Sequence, residues 1–258
     1  MRFLWDIPGD TEYFTAEDYV RYMCDRMGVD KFDVSDSVLM TFSEDVMRNL
    51  IRNCNAKRAR DWIYGEMLPL YNGRYKGRKV SIIGSFIGAP GTIMILEELI
   101  ACGMNKLIFI GVAAGLRREA RVGTIILPTE AIREEGTSYH YLREDITPVV
   151  NKEVLEALNR ACKRFGAKYI KGKVWTTDAI YREMISKIRT YSKNMVYAVD
   201  MESSAILSLA MFRKIKAGII LIISDELFHK RWRPLWGDLG KSFNMASKIA
   251  LEAIQSLK

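Results

Sequence analysis

The sequence predicts an α/β fold in which helices cover a parallel or mixed central sheet, and three observations carry that expectation. Apolar runs of strand length alternate with stretches of helical spacing along most of the chain. Several of those runs end in small or acidic residues, and α/β sheets bind ligands at the C-terminal ends of strands. The 258 residues, 49% hydrophobic and 27% charged, suffice for a sizeable core. No Pro-, Gly- or Ser-rich linker and no internal repeat interrupts them, so a single domain over residues 1–258 is expected, residues 1–30 forming a helical N-terminal extension.

In chain order, Thr15 to Met27 has helical spacing at Tyr19, Tyr22, Met23 and Met27 behind a Thr-Ala-Glu-Asp start that resembles a helix cap. Val38 to Thr41 reads as a strand leading into a helix over Val46 to Arg52. Tyr71 to Arg78 reads as a hairpin because its glycines take turn conformations, and Lys79 to Ser85 is the second strand. Pro90 to Ala101 is a helix with Pro at its start and Gly103 past its end. Lys106 to Ile110 is a strand ending at Gly111, and Gly123 to Pro128 is another. Asn151 to Phe165 is a helix, Lys173 to Thr177 a strand, and Ile180 to Arg189 a helix. Val196 to Val199 is a short strand and Ser203 to Arg213 a helix. Gly218 to Ile223 is a very apolar strand, and Gly240 to Leu257 closes the chain as a helix.

Composition narrows the function. No run of about 18 uncharged apolar residues is present, so no transmembrane helix is expected. Met1 to Asp10 holds acids and a Pro-Gly pair where a signal peptide needs an apolar stretch, so the expected location is cytoplasmic. Cys24, Cys54, Cys102 and Cys162 are far apart and form no C-x-x-C pair, which reads as reduced core cysteines. With only His140 and His229, a His-rich metal site is excluded and no metal is expected. The charge of +8 suits nucleic acid or anionic small molecules alike. Its basic residues are spread along the chain, with short clusters at Lys57 to Arg60 and His229 to Arg233. RNA-binding aromatic motifs are missing, and nucleic acid is not the expected partner.

Candidate chemistry is read at four strand ends, Gly84 to Gly91, Gly111 to Gly115, Thr176 to Tyr181 and Ser224 to Glu226, and at Asp200 to Glu202 between a short strand and a helix. Gly84-Ser85-Phe86-Ile87-Gly88-Ala89-Pro90-Gly91 opens a helix whose bare N–H groups attract anions, yet it matches neither G-x-G-x-x-G nor a P-loop. Gly111-Val112-Ala113-Ala114-Gly115 is small enough for a ligand, or simply a strand, to approach closely. Asp200-Met201-Glu202 offers carboxylates for sugar hydroxyls and a soft apolar wall, or else caps the next helix. Ser224-Asp225-Glu226 ends the most apolar strand, where desolvation raises an acid's pKa and makes it a proton donor, or it caps a turn.

Taken in order, these stretches resemble the purine nucleoside phosphorylase / uridine phosphorylase superfamily, which also holds nucleosidases. The resemblance runs from about Val38 to the C-terminal helix. It is strongest at Tyr75 to Val80, Gly88-Ala89-Pro90, Gly111 to Leu116, Val122 to Ile125, Glu135 to Ser138, Val199 to Glu202 and Ser224-Asp225. It implies a three-layer sandwich with a mixed central β-sheet, nucleoside phosphorylase-like, and cleavage of the N-glycosidic bond of a purine nucleoside or nucleotide. By resemblance, Glu202 serves the ribose hydroxyls and Met201 walls the sugar and base. Asp225, beside Ser224, protonates the departing purine. Ile180 falls where the family stacks an aromatic residue on the base, and Gly88, Gly111, Val112 and Ala113 fall in its ligand-approaching stretches. No cofactor is implied beyond inorganic phosphate as co-substrate, and a homo-oligomer, dimer or hexamer, is expected.

Two departures leave the ribosyl acceptor open. The phosphorylase P-G-D-P-x-R-type loop is replaced by Met40-Thr41-Phe42-Ser43-Glu44-Asp45. Phe109 stands where phosphorylases place an arginine, and Val112 replaces a Ser/Thr phosphate ligand. Gly115 to Glu119, Val174 to Asp178, Asp200 to Ser203 and Ser224 to His229 resemble the catalytic part of AMP nucleosidase, which implies water as acceptor, with Glu44 or Asp45 activating it. Arg48, Arg117 and Arg133 are the alternative phosphate contacts. A catalytically silent purine-binding member of the same fold and a uridine phosphorylase-type activity are the rival readings.

Overall fold

The computed structural model describes residues 11–229, 232–234 and 239–257. The expectations placed on Met1 to Asp10, and on Lys230 and Arg231 of the second basic cluster, lie outside the described residues.

The chain opens with α1 (Ala16–Met27), started by a reciprocal Thr15–Asp18 capping box and stopped by Gly28 at φ 67°. There follow β1 (Ser37–Thr41), α2 (Glu44–Cys54), β2 (Lys57–Arg58), and the hairpin β3 (Leu70–Tyr75) and β4 (Arg78–Gly84). Next come α3 (Ala89–Ala101), β5 (Lys106–Gly115), β6 (Ile125–Glu134) and α4 (Lys152–Arg164). The second half holds β7 (Tyr169–Thr177), α5 (Ile185–Lys193), β8 (Val196–Asp200), α6 (Ser203–Arg213), β9 (Lys216–Glu226), β10 (Arg233–Pro234) and α7 (Gly240–Ser256).

The strands form one mixed sheet in the order β10-β9-β6-β7-β8-β5-β1-β4-β3-β2, and β9 also pairs with β5. That extra pairing closes β9, β6, β7, β8 and β5 into a ring, from which β1, β4, β3 and β2 extend at β5 and β10 at β9. Around β5 the partners β1 and β9 are parallel and β8 is antiparallel.

Alternation along β9 shows how the layers arise. Ile219, Leu221 and Ile223 pack into the apolar layer shared with α1, α3 and α6, whereas Ile220 and Ile222 pack into the layer under α2, α4 and α7. A strand buried on both faces needs an unbroken apolar run, which Gly218 to Ile223 supplies. The α/β expectation with helices on both faces of a mixed sheet is met.

Beyond the longer β7 and β9, which start at Tyr169 and Lys216, three stretches differ from the sequence reading. β5 runs on through Gly111 to Gly115, because β9 lies beside it along its whole length and satisfies its backbone. β6 continues beyond Pro128 to Glu134, its register slipping between Pro128 and Ala131, where proline has no N–H to give. The helix expected over Ile180 to Arg189 is instead a 3₁₀ turn, Ile180–Arg182, followed by α5.

Candidate active site

Ala114 of β5 lies at the crossing of the ring, in register with Val199 of β8 on one side and Asp225 of β9 on the other. With neighbouring strands roughly 4.8 Å apart, the ends of β8 and β9 deliver their acids to one place. Asp200, Glu202, Asp225 and Glu226 are all buried, as is Ser224.

The sequence left Asp200 and Glu202 open between helix caps and site residues, and the structure divides the two jobs. Asp200 caps α6, its Oδ2 accepting from the Ser203 N–H at 2.9 Å, while Oδ1 accepts from Thr176 Oγ1 at 2.7 Å. Glu202 makes no cap. It reaches back so that Oε1 accepts from the Gly88 N–H at 2.7 Å, at the start of α3, and Oε2 accepts from the Met201 N–H at 3.3 Å. Gly88, whose N–H meets Glu202, has φ 98° and ψ 154°, a conformation that side chains resist. Burial, then the Asp200 charge, pushes the Glu202 carboxyl above its ordinary range. Burial likewise raises Asp200, against the hydrogen bonds that favour its charge.

Behind Asp200 runs a web of polar groups. Thr176 Oγ1 accepts from the Ser204 N–H at 3.0 Å, and Ser204 Oγ donates to Glu135 Oε1 at 2.7 Å. Glu135 Oε2 in turn accepts from the Ser138 N–H at 2.9 Å. Thr176 and Glu135 lie in stretches that the sequence singles out, Thr176 to Tyr181 and Glu135 to Ser138, though without a role for either side chain, whereas Ser204 is not singled out. Thr176 faces the same way along β7 as buried Val174.

At the other strand end, Asp225 Oδ1 accepts from Ser224 Oγ at 2.8 Å, and Oδ2 accepts from the Trp232 indole N–H at 2.9 Å. Ser224 Oγ also lies 3.3 Å from the Ala113 carbonyl, tying β9 to β5. Glu226 faces the other way, accepting from the Val122 N–H at 3.1 Å and standing 2.6 Å from His229 Nε2. Ile180 is half-exposed, with Tyr181, Met184 and Ile185 exposed beside it. Among the described residues, no group of three His, Cys, Asp or Glu side chains could hold a metal ion, and no helix is long and apolar enough to cross a membrane.

This geometry sits inside the part of the chain, residues 37–253, that matches the Phosphorylase superfamily. The chain belongs to that superfamily. Among its relatives, the uridine phosphorylase of Thermococcus kodakarensis is 27% identical over 215 residues, covering 77% of this chain and 74% of that protein. A DeoD-type purine nucleoside phosphorylase of Brevibacillus brevis is 28% identical over 185 residues, 71% of this chain and 78% of that one. A purine nucleoside phosphorylase from Toxoplasma gondii, solved with immucillin-H, superposes with a TM-score of 0.77 and 26% identity over 86% of this chain and 91% of its own. The uridine phosphorylase of Vibrio fischeri has the same fold, with a TM-score of 0.76 at 22% identity over 87% and 94% of the two chains.

The superfamily frame also locates the departures. Phe109 is fully buried, its ring 6.0 Å from that of Phe42. It lies across Gly111, where an added Cβ would come within 2.8 Å of the Phe109 ring. Gly111 is therefore a packing glycine. Val112 is half-buried and Ala113 buried. The three arginines expected near phosphate are engaged elsewhere, and that expectation finds no support in their positions. Arg48 pairs with Asp45 at 2.6 Å and Glu44 at 3.4 Å on the surface of α2. Arg117 donates to the Ser192 carbonyl and lies over the Tyr197 ring. Arg133 donates to Ser138 Oγ and to the carbonyls of Leu142, Arg143 and Ile146, pinning the segment after β6. Glu44 and Asp45 point to solvent, their side chains 90% and 57% exposed.

Proposed function

We propose that this chain cleaves the N-glycosidic bond of a purine nucleoside, with phosphate as the ribosyl acceptor. The observation that carries the reading is Glu202, a buried carboxyl aimed by Gly88 at the strand ends where Asp225 also arrives. Cleavage develops positive charge on the sugar and negative charge on the departing base. Glu202 orients the ribose hydroxyls and places negative charge near the ring. Met201 and Ile180 wall the sugar and base, Gly88, Val112 and Ala113 line the approach, and Asp225, steadied by Ser224, delivers a proton to the purine. General acid help of this kind is worth roughly 10²–10⁴-fold. Phosphate as acceptor is supported by the names of the relatives given above, a uridine phosphorylase and a purine nucleoside phosphorylase. We also propose that the enzyme acts in the cytoplasm as a homo-oligomer of one-domain subunits.

A second reading, hydrolysis, is favoured by one specific observation: buried Phe109 fills the arginine position, and Arg48, Arg117 and Arg133 are engaged elsewhere. Base release from inosine, adenosine, guanosine, AMP and uridine, with and without phosphate, separates the two. Release that requires phosphate and yields ribose 1-phosphate supports phosphorolysis, and release in its absence supports water. No release from any of them overturns both. Asp225→Asn is expected to lower purine turnover about 10²-fold.

A further inference from the structure

Trp232 is 60% exposed, yet its indole N–H is spent on a buried acid, donating to Asp225 Oδ2 at 2.9 Å. The backbone beside it explains how the two meet. Trp232 leads directly into β10, whose Arg233 and Pro234 stand opposite Glu226 and Asp225 of β9. That pairing carries the indole to the Asp225 carboxyl.

An indole N–H donates and never accepts, so it commits Oδ2 as an acceptor. Oδ1 is left as the oxygen that can change partners. It accepts from Ser224 Oγ at 2.8 Å, and the same hydroxyl has the Ala113 carbonyl at 3.3 Å. One hydroxyl hydrogen serves one of these acceptors at a time. When it turns to Ala113, Oδ1 is released towards β5, where Val112 and Ala113 line the approach. Trp232 thus decides which oxygen of Asp225 works.

Resting on the purine-cleaving reading above, we propose that Trp232 is a positioning residue for protonation of the leaving base, holding Oδ2 of Asp225 so that Oδ1 carries the proton to the purine. As the C1′–N9 bond breaks, its electron pair goes to the purine and N7 takes the Oδ1 proton. The acceptor oxygen bonds to C1′ and releases its proton to solvent. Asp225 is left charged, and the indole bond strengthens as that charge develops, because hydrogen bonds to ionised acceptors are the stronger kind. Solvent returns a proton to Asp225 as the products leave.

The test is Trp232→Phe, which keeps a ring at this exposed position and removes the N–H. It is assayed on inosine, adenosine and 7-methylguanosine, the last of which already carries positive charge at N7 and releases its base without a proton. For inosine and adenosine, kcat should fall about tenfold with KM within about threefold of wild type. Turnover of 7-methylguanosine should stay within about threefold. Combined with Asp225→Asn, the change should cost little beyond Asp225→Asn alone, since Trp232 acts through that carboxyl. Equal losses on all three nucleosides, no loss on any, or fully additive losses in the double variant would each overturn the inference. Failure of the wild-type enzyme to cleave any purine nucleoside overturns the functional reading, and the inference with it.

Discussion

Two acidic pairs sit at strand-to-helix junctions in this chain, Glu44–Asp45 in the first turn of α2 after β1 and Asp200–Glu202 between the end of β8 and α6, and they have opposite fates. At α2 the cap is taken by Ser43, whose Oγ accepts from the Val46 N–H. The acids are left to solvent and to Arg48, because α2 is amphipathic and its first turn lies on the outside. α6, by contrast, is buried along Ser203 to Ala210. Its preceding acids cannot reach water, so each must find partners inside. The same local signature gives a solvated face in one place and a buried, hydrogen-bonded cluster in the other, and the helix alongside decides which.

The strongest way to test the contrast is Glu202→Gln. The amide keeps the shape and loses the charge, so kcat/KM should fall about 10²–10³-fold in a base-release assay. Stability should move the other way. Burial and Asp200 raise the Glu202 carboxyl, so the folded state holds that proton more tightly than the unfolded chain does. The stability it contributes is present in acid and is lost as pH rises from the ordinary carboxyl range through the raised value. The variant should therefore gain in Tm relative to wild type as pH rises. A variant that is both active and unchanged in this pH trend would remove Glu202 from the site.

Gly88→Ala ranks next. Its backbone conformation costs a side chain on the order of 1–3 kcal/mol, and relaxing it turns the N–H away from Glu202. Activity should drop about tenfold or more, with Tm lower by several degrees. A wild-type rate would show that Gly88 does not aim the carboxyl.

Thr176→Val tests the web behind the site. It strips Asp200 of one donor and Ser204 of its acceptor, which should cost about 1–3 kcal/mol, or roughly 2–10 °C in Tm by scanning calorimetry. Its effect on kcat should be smaller than that of either change above, because Thr176 touches Asp200 and not Glu202.

What was legible follows the same division. Asp200, Glu202, Ser224 and Asp225 could be found because each closes an apolar run, and the bounds of α6 could be read from its continuous apolar stretch. Glu135 and Ser204 could not be paired, because 69 residues separate them and only the sheet brings them together. Ile180 to Arg189 read as one regular helix, whereas the structure divides it into a turn, Ile180–Arg182, and α5, which starts without a side-chain cap. Gly111 looked like a strand end because glycine so often is one. Its meaning, room for the Phe109 ring two residues earlier, is visible only in three dimensions.

The smallest effects belong to the exposed pair. Glu44→Gln, Asp45→Asn and Arg48→Ala should each leave kcat/KM within about twofold and stability within about 0.5 kcal/mol, since exposed ion pairs at helical spacing contribute little. These three variants sharpen the comparison because hydrolysis assigns one of the two acids to water activation. A tenfold or greater loss from Glu44→Gln or Asp45→Asn, measured without phosphate, would show that the start of α2 turns inward when substrate binds. The distinction between a solvated acidic pair and a buried one would then hold only for the empty enzyme. Unchanged rates would leave catalysis to the carboxyls at the ends of β8 and β9.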